Sequence, residues 1–564
     1  MCHEIGRVDN LKTHALRIAI YELNIMYMKK TKLMAILLGI ALVLTLDIAI
    51  YAHTGKAGAS ESNQEISANT PSGADENKVA SPVIKTTSGK LTGQKTDYGY
   101  SFLGIPYAQA KRFQKPVPSH WDGVRECNQF SLKAFQVTSN PSQCSEDCLS
   151  LNIYTPDLEG SLPVLIDIHG GGFQSGSNSG HYSHPERFVR DNRVIYIPIQ
   201  YRLGVWGYLY LGGLLGKEYA ASGNSGTLDQ LAAIKWVSEN ISKFGGDPKR
   251  ITVMGNSAGA KAVGALITRP ESDGLFDKII LLSGSYQCIR TPETAQVVTD
   301  NLLEILGCKA EDLLTMSNED LVNGQRELTR RSMANCMFGP VSDGIVIPKN
   351  WNEALHGGKA WHGTAYIGTN RHENGNLIRE VRDFPHRIDQ TIDGLFGTVN
   401  SRYARQAWAD LNGDALQTEE EKTELWLRII SDFMYRTHAD RTATILAQNG
   451  MKAWEYSFEW LPAYHDTDRR FVWNELNWKN EGITEDQIPV AMKLSEQVYE
   501  SFIAFITSGD PNTPSLPHLD PVKPGRISKF MFGADTYVKV WENGEVDAIP
   551  SFPDIVYCLK EPKP

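Results

Sequence analysis

Beyond Pro82 the chain alternates short runs of β-branched residues with longer stretches in which apolar positions recur every three or four residues. That alternation predicts an α/β class: a central, mostly parallel sheet flanked by helices. The clearest predicted strands are Val164 to Ile168, Val194 to Ile199, Arg250 to Met254, Lys278 to Leu282 and Thr364 to Ile367, each ending where glycine, serine or asparagine begins. Between the second and third of them, Leu228, Leu231, Ile234, Val237 and Ile241 form one apolar stripe, so a helix is expected to pack there with Trp236 in the core. In open α/β sheets the chemistry collects at the carboxyl ends of the strands, which directs attention to the strand-to-helix turns.

Two of those turns stand out. Ile251-Thr252-Val253-Met254 runs into Gly255-Asn256-Ser257-Ala258-Gly259 and then into the helix-compatible Ala260 to Leu266. Gly-x-Ser-x-Gly between a strand and a helix is the pattern of a strained turn that exposes a nucleophilic serine, with glycines where side chains would collide. A helix-capping serine is the plainer alternative. The second turn, His169-Gly170-Gly171-Gly172-Phe173, places three glycines directly after a strand, where backbone N–H groups can point into a cavity and bind an oxyanion. A bare glycine-rich connector is the weaker reading once the serine turn is present.

The N-terminus has a different pattern. Met28-Lys29-Lys30-Thr31-Lys32 precedes an apolar run from Leu33 to Leu46, a basic stretch ahead of a hydrophobic one, which predicts export. Met28 is the more natural start for such a signal. Ala57-Gly58-Ala59 offers a cleavage site, yet Leu33 to Tyr51 is long enough to span a bilayer uncleaved, so both a cleaved signal and a membrane tether are expected possibilities. The organisation expected is therefore a signal or anchor over residues 1–54, a Ser/Gly/Asn/Glu-rich linker over 55–81, and one catalytic domain over 82–564. The location expected is extracytoplasmic: secreted, periplasmic or membrane-anchored.

Charge and cysteines then narrow the class. Fifty-six basic against 66 acidic residues give a net charge of −10 without long blocks, which argues against a nucleic-acid partner. Cys127, Cys144, Cys148, Cys288, Cys308, Cys336 and Cys558 lie beyond the targeting segment, in keeping with disulfides in an oxidising compartment, one thiol being left over. None is spaced with histidines as a zinc site requires.

Together these motifs resemble the type-B carboxylesterase/lipase family, the group that includes cholinesterases and bacterial p-nitrobenzyl esterases. The likeness covers roughly residues 83 to 540 and includes Phe102 to Ala108, Glu146-Asp147-Cys148-Leu149-Ser150-Leu151-Asn152-Ile153-Tyr154, Tyr201 to Gly204, Asn224 with Leu228-Asp229-Gln230, and Phe244 to Pro248. It implies the α/β-hydrolase fold and a serine esterase acting on small to medium neutral carboxylic esters, with no metal or organic cofactor. Several carboxylates lie between Ser257 and the histidines, Asp343 among them, and residues alone do not choose. The resemblance assigns the acid to Glu373, in Gly368-Thr369-Asn370-Arg371-His372-Glu373, and the base to His465, in Ala463-Tyr464-His465-Asp466-Thr467-Asp468. His372 is a weaker rival as base. The implied oxyanion donors are the N–H groups of Gly171, Gly172 and Ala258.

The chain departs from the family at three places. Asn256 stands where most members carry glutamate, which predicts a lower histidine pKa than in those relatives. The partner that the family provides for Cys148 would fall near Ala134, so Cys148 has Cys144 or Cys127 to pair with, or stays free; Cys144–Cys148 is the working expectation. Cys288–Cys308 resembles the family's second bridge. No tryptophan lies between Trp121 and Cys148, where cholinesterases carry their ammonium-binding ring, so choline esters are not the expected substrate. Lipase, thioesterase or amidase chemistry on the same three residues is the alternative within enzymes. A non-catalytic binding protein of this fold is the alternative outside them, disfavoured because no member of the triad is missing.

Overall fold

The computed structural model describes residues 80–542, apart from 180–184, 191–192, 333–336, 376–387, 461 and 477–481. Compact packing divides the chain between Glu76 and Asn77. The expected export segment and membrane tether, and residues 55–79 of the expected linker over 55–81, lie outside the described residues; its last two residues already join the folded domain, Ala80 bridging to Gln94 and the buried Ser81 donating its N–H to the Gly93 carbonyl at 2.9 Å. No helix among the described residues is long and apolar enough to cross a membrane.

The strands of the main sheet are β1 (Gln94–Thr96), β2 (Gly99–Pro106), β3 (Ser150–Thr155), β4 (Leu162–Ile168), β5 (Ile195–Ile199), β6 (Gly246–Asn256), β7 (Lys278–Leu282), β8 (Thr364–Asn370), β9 (Lys452–Phe458), β10 (Arg526–Phe532) and β11 (Tyr537–Glu542). Their spatial order is β11-β10-β9-β8-β7-β6-β4-β5-β3-β2-β1. From β10 through β5 every neighbour runs parallel, and the strands turn antiparallel towards both edges. The five expected strands are all present; β6 begins earlier and ends later than Arg250 to Met254.

Side chains alternate between two apolar layers, as a strand covered on both faces requires. Val164, Ile166 and Ile168 of β4 enter one cluster and Leu165 the other; Ile279 and Leu281 of β7 are separated in the same way from Ile280 and Leu282. Helix α1 (Ser225–Asn240) occupies the place its stripe predicts, and Trp236 is core, its indole N–H donating to Ser88 Oγ at 2.9 Å. Helix α2 (Ala258–Leu266) follows β6 and is buried along its whole length. Helix α3 (Pro292–Leu306) ends at Gly307 in the left-handed conformation.

Between β8 and β9 the chain leaves the sheet to form α4 (Ile388–Asp410), α5 (Glu419–Ser431), a π-turn over Asp432–Arg436, and α6 (Thr437–Gln448). The α4–α5 region has an apolar cluster of its own, with Ile392, Ala404, Ile429 and Phe433 buried and Trp408 stacked on Trp426 at 4.3 Å. Helices α7 (Thr467–Trp473) and α8 (Ile488–Ser508) follow β9 and help to cover the second face.

The two expected disulfides are not formed. Cys144 and Cys148 are both thiols: Cys144 Sγ turns back towards the Asn140 carbonyl oxygen at 3.7 Å, while Cys148 is packed into the main core. Cys308 is a thiol as well, just beyond α3 with its N–H bonded to the Leu303 carbonyl, and no bridge links it to Cys288, which is buried in the core. Burial pushes the Cys148 thiol far above its ordinary value.

Candidate active site

Strands β4 and β6 are neighbours, with Ile168 opposite Gly255, so the turns that follow them emerge side by side. Ser257 takes φ 54° and ψ −118°, a strained conformation for a residue with a side chain. It is held there by its N–H bond to the Leu282 carbonyl at 2.8 Å and by the Lys261 N–H on its own carbonyl at 2.9 Å. The flanking glycines have no room to change. A Cβ on Gly259 would stand 1.9 Å from the Ile168 oxygen, and one on Gly255 would stand 2.3 Å from the Gly259 carbonyl.

The glycine turn is built against this elbow. A Cβ on Gly170 would approach the Asn256 carbonyl oxygen to 2.9 Å and Ser257 Cβ to 3.1 Å. Gly171 and Gly172 have φ 104° and 62°, open to glycine at little cost, and both line a cavity of about 650 Å³ with Ser257. Ala258 is the first residue of α2, immediately after Ser257.

Glu373 follows β8 and His465 follows β9, parallel neighbours whose ends Asn370 and Phe458 are in register. The Glu373 side chain is fully buried; Oε1 accepts the Asn370 N–H at 2.7 Å and Oε2 accepts His465 Nδ1–H at 2.6 Å. Both residues line the same cavity as Ser257. Burial alone would depress the His465 pKa, but the Asp466 charge and the bonded Glu373 carboxylate outweigh it and raise the imidazole to about 9.

Side chains of other loops brace this pair. Asn370 Nδ2 donates to Asp468 Oδ1 at 2.9 Å, the Asp468 N–H returns a bond to Asn370 Oδ1 at 3.1 Å, and the Tyr456 hydroxyl donates to Asp468 Oδ2 at 2.6 Å. Burial lifts Asp468 to about 6 against the pull of those hydrogen bonds. The histidine loop is also tied to β4, because Arg469 pairs with Asp167 at 2.5 Å.

The alternative acid and base, Asp343 and His372, make bonds away from the cavity. Asp343 Oδ1 accepts the N–H groups of Ile345 and Val346, each at 2.8 Å, and Oδ2 accepts Asn224 Nδ2, closing its own loop. His372 lies between the Glu424 carboxylate at 2.9 Å and the Pro462 carbonyl at 3.1 Å. Asn256 is buried, and its Nδ2 finds no acceptor. Sequence reasoning missed Asn370, Asp468, Tyr435 and Lys261. Asn370 and Asp468 were within the quoted motifs but look like ordinary loop residues. Tyr435 is in the π-turn, its ring 5.1 Å from that of His465.

Known proteins carry the same architecture. The chain is 29% identical to the para-nitrobenzyl esterase of Bacillus subtilis, over 77% of this chain and 91% of that protein. It is also 28% identical to mouse neuroligin-2, of which the match spans 61%. The crystal structure of the Geobacillus stearothermophilus carboxylesterase Est55 superimposes with a TM-score of 0.72 at 33% identity, covering 81% of this chain and 97% of that one. The carboxylesterase family itself matches residues 80–540. An α/β-hydrolase sheet and a family match over most of its length leave one conclusion: the chain belongs to the carboxylesterase family, serine hydrolases of carboxylic esters.

Proposed function

We propose that Ser257 is the nucleophile, His465 the general base and Glu373 the acid that orients it, acting on small to medium carboxylic esters through an acyl-enzyme. The observation that carries this reading is the 2.6 Å bond between His465 Nδ1 and a fully buried Glu373 on the wall of the cavity that Ser257 lines. With Nδ1–H committed to Glu373, Nε2 is the nitrogen left to accept the serine proton.

As Ser257 Oγ bonds to the ester carbonyl carbon, its proton passes to His465 Nε2 and the carbonyl oxygen takes the negative charge. The N–H groups of Gly171, Gly172 and Ala258 receive that oxyanion. Collapse expels the alcohol, which takes the proton from His465, and leaves the acyl-serine. Water then repeats the sequence: His465 takes its proton, the acid departs, and Ser257 is restored. The cavity, about 650 Å³, suits a small organic ester.

Export is part of the same reading, supported by the basic-then-apolar order of Met28 to Leu46. N-terminal sequencing and fractionation of the expressed protein separate a cleaved signal from a tether.

The test is hydrolysis of 4-nitrophenyl esters of increasing acyl length, with Ser257→Ala as control. Turnover that the substitution abolishes and that falls as chains lengthen supports a carboxylesterase. Preference for long chains would move the reading to a lipase. No turnover on any ester by folded protein would leave the non-catalytic alternative.

A further inference from the structure

We infer that Tyr435 is a positioning residue for the general base: its ring braces the His465 imidazole, keeping Nε2 aimed at its partners through both proton transfers. The inference rests on the esterase reading above and deepens it.

Glu373 holds the imidazole at one atom. Its bond to Nδ1 fixes one end of the ring and leaves the ring able to tilt, because a single hydrogen bond tolerates a range of angles. Packing around the pair is uneven as well: the Glu373 side chain is fully buried, whereas 25% of the His465 side chain is exposed. Nε2 has to meet the Ser257 hydroxyl first and the departing alcohol next, and a misplacement of about 1 Å costs on the order of 100-fold in rate. A second contact, on the ring itself, is what the mechanism requires.

Tyr435 supplies one. Its ring centre is 5.1 Å from that of His465 and the two planes are tilted by 43°, within the range at which aromatic rings attract. Tyr435 is 7% exposed and lines the same cavity as His465 and Ser257. The ring also meets the serine arm: Lys261, on the helix that begins directly after Ser257, places Nζ 4.8 Å from the ring centre. One side chain thus touches both the base and the helix that follows the nucleophile.

The backbone is irregular where this ring is presented. Helices α5 and α6 would be one continuous helix but for the π-turn over Asp432–Arg436 between them. Such a turn takes one residue more than an α-helical turn, which rotates the side chains beyond it by about 100°. Single π-turns inside helices collect at functional sites. The buried Asp432 spans this one, reaching Arg436 at 2.9 Å and Arg428 at 3.8 Å, four residues away on either side. Filling the cavity wall would need neither an interrupted helix nor an aromatic ring; aiming a ring at the imidazole uses both.

The test measures kcat and KM of the full chain on 4-nitrophenyl acetate, butyrate and hexanoate. Tyr435→Leu should lower kcat ~10- to 100-fold, by a similar factor on all three esters and with KM little changed, whereas Tyr435→Phe should keep most of the wild-type kcat. Tyr435→Met, also without a ring and able to fill irregular space, carries the same expectation if the leucine variant does not fold. In a Glu373→Gln background the further loss from removing the ring should shrink to about threefold or less, because residues that orient one imidazole act as a unit. Four results would each overturn the inference and leave the esterase reading intact: wild-type kcat without the ring, losses confined to KM or to one acyl length, a phenylalanine variant as slow as the leucine one, or an undiminished further loss in the Glu373→Gln background. Wild-type protein inactive on all three esters would overturn both.

Discussion

Ser257 and the glycine turn are placed by backbone that admits nothing larger than hydrogen at Gly255 and Gly259, whereas Glu373 and His465 are placed by side chains bonding to one another. The serine arm stands on β4 and β6, adjacent strands whose ends are locked by close packing. The proposed acid–base arm stands on β8 and β9, and its precision comes from Asn370, Asp468 and Tyr456. Steric placement leaves a mark in the sequence, because only glycine satisfies it. Placement by polar side chains leaves almost none, because asparagine, aspartate and tyrosine occur in any loop.

The most severe break in the comparison is Ser257→Ala, which should lower kcat by ~10⁴- to 10⁶-fold with the thermal unfolding midpoint preserved. Breaking the other arm with Glu373→Gln should cost ~10³- to 10⁴-fold in kcat, since the imidazole loses the carboxylate that orients it. The pH profile sharpens that result. Catalysis needs neutral imidazole, so wild-type kcat/KM should climb as pH rises towards the His465 value of about 9, and the climb should move to lower pH in the glutamine variant. The sign for stability is opposite: a raised histidine pKa adds stability that is fully present below the unfolded value of about 6.5 and is lost as pH rises through about 9.

Stability measurements should separate the arms as well. Gly259→Ala forces a Cβ against the Ile168 carbonyl and should destabilise by ~3 kcal/mol or more in denaturant titration. Tyr456→Phe, which removes one bond to buried Asp468, should cost about 1–3 kcal/mol. The smallest effect belongs to Asn256→Glu: one carboxylate added near the site should raise the inflection of the pH–rate profile by about one unit or less. Identical inflections in the two proteins would remove Asn256 from any account of the histidine.

What could be read from residues follows the same division. The α/β class, five core strands and both glycine-bearing turns were legible because periodicity and glycine placement reflect sterics. Glu373 and His465 were reached through family likeness, since Asp343 and His372 have equal chemical standing in the sequence alone. The two disulfide expectations had different footings: Cys144–Cys148 stood in for a partner this chain lacks near Ala134, and Cys148 is a core residue; Cys288–Cys308 rested on likeness alone, and Cys308 is a thiol at a helix end. Lys261 was legible as part of a helix, but its burial over Tyr435 depends on a π-turn 171 residues downstream, given by its start at Asp432.

The excursion between β8 and β9 has a consequence for the order of folding. Glu373 and His465 are 92 residues apart in sequence, and the chain between them includes helices with a cluster of their own. Bringing the pair together closes a long loop, and its entropy is met only after those helices have packed. On refolding, recovered esterase activity should therefore trail the return of helical circular dichroism, since the acid–base contact is among the last long-range contacts to close.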